Sequence, residues 1–263
     1  MGGGARLERF GERVVDRPHP QALGERRDGA AWRQADLRFD RDRGWSGPAA
    51  DAGPWAVRMG AFTLELRATD AGQVGLFPEH AALLPWLAAR PAGAVLHLFA
   101  YTGLVTLALA GGGSTVTHVD ASRPSVAWAR RNAGLSGLDA RPIRWIVDDA
   151  RAFVAREARR GRRYDGLILD PPTYGHGTDG RPWRLEEELP DLVEACRDIL
   201  TPDGFALLTA HTPGVDPDRL SAILAVGLGR PGHGVASGDL GVATANGRRL
   251  ELGAFARVPG RSS

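Results

Sequence analysis

Lysine is absent from this chain and cysteine occurs once. A single thiol excludes an intrachain disulfide, so the fold must rest on its core, and a cytoplasmic setting is the natural expectation. No apolar stretch reaches membrane-spanning length, and no signal-peptide-like apolar segment opens the chain, so no membrane partner is expected. Without lysine, the 33 side-chain cations other than histidine are all arginines, and 31 acids bring the formal charge to +2. With the heavy use of Ala and Gly, this reads as the composition of a GC-rich genome. Runs such as Arg26–Arg27, Arg130–Arg131, Arg159–Arg160 and Arg248–Arg249 therefore serve equally well as solvated faces or phosphate contacts. A Gly-x-Gly-x-x-Gly fingerprint is also missing, which argues against NAD.

What is present alternates. In 263 residues there is room for one α/β domain and a modest appendage. Apolar runs predict strands near 94–99, 115–119, 142–147, 164–169 and 204–209. Helical patterns fall between them near 103–111, 123–136, 150–159 and 187–200, with a further helix near 216–227. Such alternation argues for a parallel sheet covered on both faces. Thr201–Gly204 reads as a turn. Val235–Leu240 and Leu250–Val258, separated by Asn246–Gly247, read as a final antiparallel hairpin. Upstream, Met1–Gly4 is expected to lack order, Leu7–Val15 to form a strand pair or arm, and Gly44–Pro54 a loop. Residues 55–67 read as a hairpin, and Pro78–Leu87 as a helix.

The strand ends carry the chemistry. The first runs into Tyr101-Thr102-Gly103 and a helix N-terminus, a place where backbone N–H groups point outward. The second ends in Asp120, at the distance of a ribose-binding carboxylate. The third ends in Asp148-Asp149. The fourth ends abruptly at Asp170-Pro171-Pro172-Thr173-Tyr174, where the prolines remove donors and leave carbonyls and a carboxylate. All four turns lie at one edge of the sheet, where open α/β sheets bind ligands.

Phe99–Gly103, Val119–Ser122, Arg131–Ala133, Val147–Ala150 and Leu169–Thr173 resemble, in order and spacing, class I S-adenosylmethionine-dependent methyltransferases. More closely, they resemble the group that modifies large-subunit ribosomal RNA at cytosine C5 or guanine N7. Gly72–His80, Leu7–Gly11 and Asp16–Pro18 resemble segments of its shorter members. The resemblance implies an α/β, Rossmann-like class I methyltransferase sheet, mostly parallel with an antiparallel C-terminal hairpin. It also implies a small N-terminal β appendage over residues 1–71 that faces the substrate, ahead of a cofactor-binding domain over 72–263.

The cofactor implied is S-adenosylmethionine, with no metal. Phe77, Tyr101, Thr102, Gly103, Asp120, Ala121, Ser122, Asp148, Asp149, Ala150 and Asp170 would hold it. Asp120 would accept from the ribose hydroxyls, and Asp149 or Asp148 from the adenine amine, the other only capping a helix. Asp170, Tyr174 and His211 would act at the methyl acceptor, with Pro171, Pro172, Thr173, Tyr174 and Trp183 lining its site. Relatives that methylate cytosine C5 carry a cysteine after the fifth strand, where this chain has Thr209-Ala210-His211-Thr212-Pro213. Its one thiol, Cys196, falls on the apolar helical stripe Leu189, Leu192, Val193, Ile199, a core position. A nitrogen of an RNA base is thus the expected target. A small-molecule acceptor, or a non-catalytic adenosylmethionine-binding scaffold, is the rival reading. A monomer or homodimer is expected.

Overall fold

The computed structural model describes residues 1–178, 180–230, 234–245 and 247–260. Two compact units are present: Met1–Pro78 with Gly241–Glu251, and Glu79–Leu240 with Leu252–Ser263.

The first unit is built of short strands. β1 (Ala5–Phe10) and β2 (Arg13–Pro18) pair antiparallel, helix α1 (Gly29–Arg33) follows, and β3 (Leu37–Asp40) joins β2 in parallel. β4 (Gly44–Ser46) completes the sheet beside β3, so the predicted Gly44–Pro54 loop begins as a strand. Met1–Gly4 also departs from expectation: the Gly3 N–H donates to Gly24 O at 2.6 Å and the Gly4 N–H to Ala22 O at 3.1 Å, which anchors the segment. β5 (Trp55–Met59) and β6 (Phe62–Leu66) form the predicted hairpin, with the alternate residues Val57, Leu64 and Leu66 buried.

A 3-10 turn at Pro78–Leu83 and a short helix, α2 (Leu84–Ala88), follow where one helix was predicted. Pro85 in the first turn of α2 lacks an N–H and fits only a helix start, so the helical path restarts there. Strand and helix then alternate through β7 (Ala94–Leu98), α3 (Leu104–Gly111), β8 (Thr115–Asp120), α4 (Arg123–Leu135), β9 (Ile143–Val147), α5 (Ala150–Arg159) and β10 (Tyr164–Leu169). A small hairpin, β11 (Tyr174–His176) with β12 (Pro182–Arg184), precedes α6 (Leu185–Arg197), β13 (Leu200–Ala210), α7 (Pro217–Gly227), β14 (Ala236–Ala243) and β15 (Arg249–Val258). Asn246 of the predicted turn lies outside the described residues.

The main sheet has the order β14-β15-β13-β10-β7-β8-β9. β13, β10, β7, β8 and β9 run parallel, and β15 runs antiparallel to β13. Sequence order reverses between β7 and β10, a topological switch point that opens a crevice beyond the strand C-termini. Side chains alternate across the sheet with period two. Leu96, Leu98, Leu167, Leu169, Ala206 and Leu208 pack in one core with α5, α6 and α7 residues such as Phe153, Leu192, Cys196 and Leu224. Val95, Ile168, Phe205 and Leu207 pack in the other with Val105, Leu109 and Leu87. Cys196 is fully buried and desolvation pushes its thiol up to about 12, so it is core, as its helical stripe predicted. Among the described residues no helix is long and apolar enough to cross a membrane.

The predicted Thr201–Gly204 turn is absorbed into β13 as an irregularity. Tyr164 pairs with Leu200 and Gly166 with Phe205, so the intervening residues bulge from the ladder. Arg230 satisfies the exposed carbonyls: its guanidinium donates to Gly204 O and Pro202 O at 2.7 Å and to Thr201 O at 3.2 Å.

Candidate active site

The segment after β7 is wound into an uncommon shape. Phe99, Tyr101 and Gly103 all have positive φ, at 56°, 47° and 89°. For the two non-glycine residues this costs on the order of 1–2 kcal/mol each. Several contacts hold it. Ala100 N–H donates to Val119 O at 3.1 Å. Tyr101 N–H donates to Asp120 Oδ2 at 2.8 Å. The buried amide of Asn132 donates to Thr102 O at 2.9 Å. A Cβ on Gly103 would lie 3.0 Å from Ala129 Cβ, so α4 packs directly against this turn. Asn132 was part of a recognised motif, yet its role as a clamp on the turn was not legible without the fold.

Asp120, at the end of β8, also accepts Ser122 N–H on Oδ1 at 2.8 Å. Burial raises its carboxyl above the usual range, and the two backbone donors oppose that. Ser122, not Asp120, caps α4, through Ser125 N–H at 3.2 Å. Ala121 between them is half-buried. At the end of β9 the division of labour is equally plain. Asp149 caps α5 by accepting Arg151 N–H at 2.9 Å and Ala152 N–H at 3.1 Å. Its carboxylate also pairs with the Arg151 guanidinium at 2.9 Å. Burial would raise its pKa, but Arg151 and the cap donors win and lower it. Asp148 accepts Asp149 N–H at 2.9 Å and pairs with Arg156. Ala150 is buried at the first helical position. Phe77 belongs to the first unit.

At the switch point Asp170 sits in a cluster. Its Oδ1 accepts Thr209 Oγ1–H at 2.5 Å and lies 3.4 Å from His211 Nε2, while Oδ2 lies 3.5 Å from His80 Nε2. The two imidazoles meet Nε2 to Nε2 at 3.3 Å. His211 Nδ1 donates to Leu252 O at 2.8 Å and lies 3.3 Å from Glu79 Oε1. Burial works against charge on all three residues. For His80 it prevails and lowers the pKa. For His211 the hydrogen bond and charge of Asp170, aided by Glu79, prevail and raise it to about 9. For Asp170 the histidines and Thr209 prevail and keep it ionised well below the usual carboxylate range. His80 and Glu79 were not among the predicted site residues. They lie in a 3-10 turn, where no periodicity marks an inward face, and far in sequence from their partners.

Beyond Asp170 the chain is braced. Pro171 is buried. Thr173 Oγ1 meets Thr212 Oγ1 at 2.8 Å, and Trp183 Nε1–H donates to Pro172 O at 2.7 Å. The chain then pairs as the β11–β12 hairpin, with Trp183 opposite Gly175. Trp183 is 3% exposed, its ring 4.8 Å from that of Phe99. It was expected to line the substrate site; its burial makes it a brace for Pro172. Tyr174 is 74% exposed.

The family model for S-adenosylmethionine-dependent methyltransferases matches residues 36–227. The chain is 31% identical to a ribosomal RNA large subunit methyltransferase K/L of Syntrophotalea carbinolica, over 58% of this chain and 22% of the relative. It is 35% identical to the enzyme of that name from Stutzerimonas stutzeri, over 60% of this chain and 21% of the relative. The chain thus spans about a fifth of the length of these curated relatives. A solved structure described as an S-adenosylmethionine-dependent methyltransferase from Agrobacterium tumefaciens is similar at 37% identity and a TM-score of 0.90. That match covers 98% of this chain and 88% of the other. The sheet order, the glycine turn and the acids at successive strand ends agree with this match over most of the chain, which belongs to the S-adenosylmethionine-dependent methyltransferase family.

Proposed function

We propose that this chain methylates a nitrogen of an RNA base, in ribosomal RNA, with S-adenosylmethionine as methyl donor. The observation that carries the reading is Asp170, an ionised carboxylate held at the switch point beside the strand ends suited to the cofactor.

The residues present fit that cofactor. The turn at Tyr101, Thr102 and Gly103 precedes a helix N-terminus suited to the methionine carboxylate. Each oxygen of Asp120 takes one backbone N–H, and a carboxylate oxygen can accept a second donor, here a ribose hydroxyl. Ala121 and Ser122 flank that contact. Asp148 and Asp149 offer acceptors for the adenine amine, with Ala150 beside them. When bound, S-adenosylmethionine supplies an electrophilic methyl group on sulfur. The chain's own part is to align the nucleophile and keep water away. Asp170 would accept an N–H of the acceptor base and so turn that nitrogen toward the methyl group, whose bond to sulfur breaks as the bond to nitrogen forms; the proton that nitrogen loses passes to solvent. His211 and Thr209 orient the carboxylate. Pro171, Pro172 and Thr173 fix the approach, and exposed Tyr174 offers a ring for stacking.

RNA is favoured over a small molecule by the names of the curated relatives and by a cleft in the first unit. That cleft, about 100 Å³, is lined by Arg6, Arg17, Arg41 and Phe39, a set suited to a phosphate and a base. In this reading residues 1–71 face the RNA, the protein is cytoplasmic, and it acts as a monomer or homodimer. Mass spectrometry of ribosomal RNA nucleosides from a deletion strain tests it. One methylated base should disappear and return with the wild-type gene; an unchanged nucleoside profile would remove RNA as the acceptor.

A further inference from the structure

We propose that His80, Asp170 and His211 form a binding site for a divalent transition-metal ion of the Zn2+ type. The three side chains come from different elements: the 3-10 turn, the end of β10 and the residue after β13. Their ligand-type atoms all lie within 4.8 Å of one another. The separations are 3.3 Å between the Nε2 atoms, 3.5 Å from His80 to Asp170 and 3.4 Å from His211 to Asp170. Ligands about 2.0–2.1 Å from a tetrahedral ion stand roughly 3.3–3.4 Å apart, since the edge of a tetrahedron is about 1.63 times its radius. As hydrogen bonds the same distances are long. The cluster is not loose in general, because Thr209 to Asp170 is 2.5 Å and His211 to Leu252 is 2.8 Å.

The surroundings have the form of a metal site's outer layer. His211 Nδ1 donates to the Leu252 carbonyl, which fixes the ring and turns Nε2 toward His80 and Asp170, where an ion would take the place of the Nε2 proton. Thr209 fixes the carboxylate in the same way. Glu79, 2% exposed, keeps a buried oxygen, Oε2, with no hydrogen-bond partner. Its other oxygen lies 3.3 Å from His211 Nδ1, and a buried carboxylate favours added positive charge nearby. Two imidazoles and one carboxylate suit Zn2+, Co2+ or Ni2+, not Mg2+ or Ca2+, which take oxygen. His211 is 23% exposed in its side chain, which gives an ion a way in.

The ion is not a cofactor for methyl transfer. Resting on the role proposed above for Asp170, it competes with the acceptor and inhibits. Calorimetry of Zn2+ with chelator-stripped full-length protein, and visible spectra of the Co2+ form, test the site. One ion per chain should bind at micromolar or tighter affinity, with intense Co2+ bands of low coordination number. His80→Gln and His211→Asn should each weaken binding at least tenfold, while His176→Gln on β11 changes nothing. No saturable binding, or binding untouched by His80→Gln in a folded variant, would overturn the site. A zinc-soaked crystal of the wild-type chain reads it without variants: density joining His80, Asp170 and His211 supports it, and an ion only elsewhere refutes it. Saturable zinc binding without inhibition of methyl transfer would leave the site standing and refute the acceptor role of Asp170.

Discussion

Asp120 does two jobs with one carboxylate. It holds the backbone of Tyr101 and Ser122 in place, and in the proposed reading it takes the ribose hydroxyls. Asp120→Ala removes both, so adenosylmethionine binding should weaken by about 1.5–3 kcal/mol; unchanged calorimetric affinity would contradict this. Cys196→Ala should cost about 1–2 kcal/mol in urea unfolding, because it opens a small cavity in the α6 core, and should spare turnover. At this scale legibility followed local chemistry. Cys196 was readable from its helical stripe, and the capping of α5 by one of two adjacent acids from their position. Which acid caps was not, because both precede the helix; the bidentate pairing of Arg151 with Asp149 decides it. The left-handed backbone at Phe99 and Tyr101 leaves no trace in residue type. His80 and Glu79 were invisible as partners of Asp170, since only the fold brings them together.

Elements were readable where burial is periodic and misread where tertiary contacts decide. The parallel strands alternate faces, and their ends fell within a residue of expectation except at the start of β13, which begins at Leu200 where 204 was expected. The Thr201–Gly204 turn signal was real, but Arg230 holds it as a bulge within β13. Tyr174–His176 and Pro182–Arg184 pair into a hairpin, with Trp183 buried against Phe99. Gly166 in β10 has a packing reason: a Cβ there would fall 2.2 Å from Phe205 Cζ. Gly166→Ala should therefore destabilise the protein by about 1–3 kcal/mol through overpacking. The urea midpoint measures this, and a midpoint equal to wild type would show that Phe205 moves aside freely. β7 and β8 are also joined by buried histidines, with Thr106 Oγ1 2.8 Å from His97 Nδ1 and 2.9 Å from His118 Nδ1. Burial lowers His97 to about 3, with Asp170 raising and His80 lowering it further, and drives His118 well below its ordinary value, aided by His97. The unfolded chain then binds protons first as pH falls below about 6.5. Stability carried by these groups is complete above that pH and declines below it, by about 1.4 kcal/mol per pH unit for each histidine. His19 and His80, also lowered, act in the same direction, so the measurement is a difference. The pH 6.5 to 5 slope of unfolding free energy should be shallower in His118→Gln than in wild type; equal slopes would refute the assignment.

Across the whole molecule, the sheet order and its reversal at β7 and β10 place four polar strand ends along one edge. This arrangement was readable in advance, because each strand announces itself by an apolar run and each end by a glycine or an acid. The grouping of Gly241–Glu251 with Met1–Pro78 in one compact unit was not, since packing between segments so far apart in sequence has no periodic signature. The central claim is that Asp170 serves the methyl acceptor while the other strand ends serve the cofactor. The most direct test is to measure adenosylmethionine affinity and single-turnover methylation on the same Asp170→Asn protein, with the RNA identified from the deletion strain. The account predicts affinity within about twofold of wild type and methyl transfer reduced on the order of a hundredfold or more. Equal losses in both would make Asp170 a cofactor ligand and contradict the account.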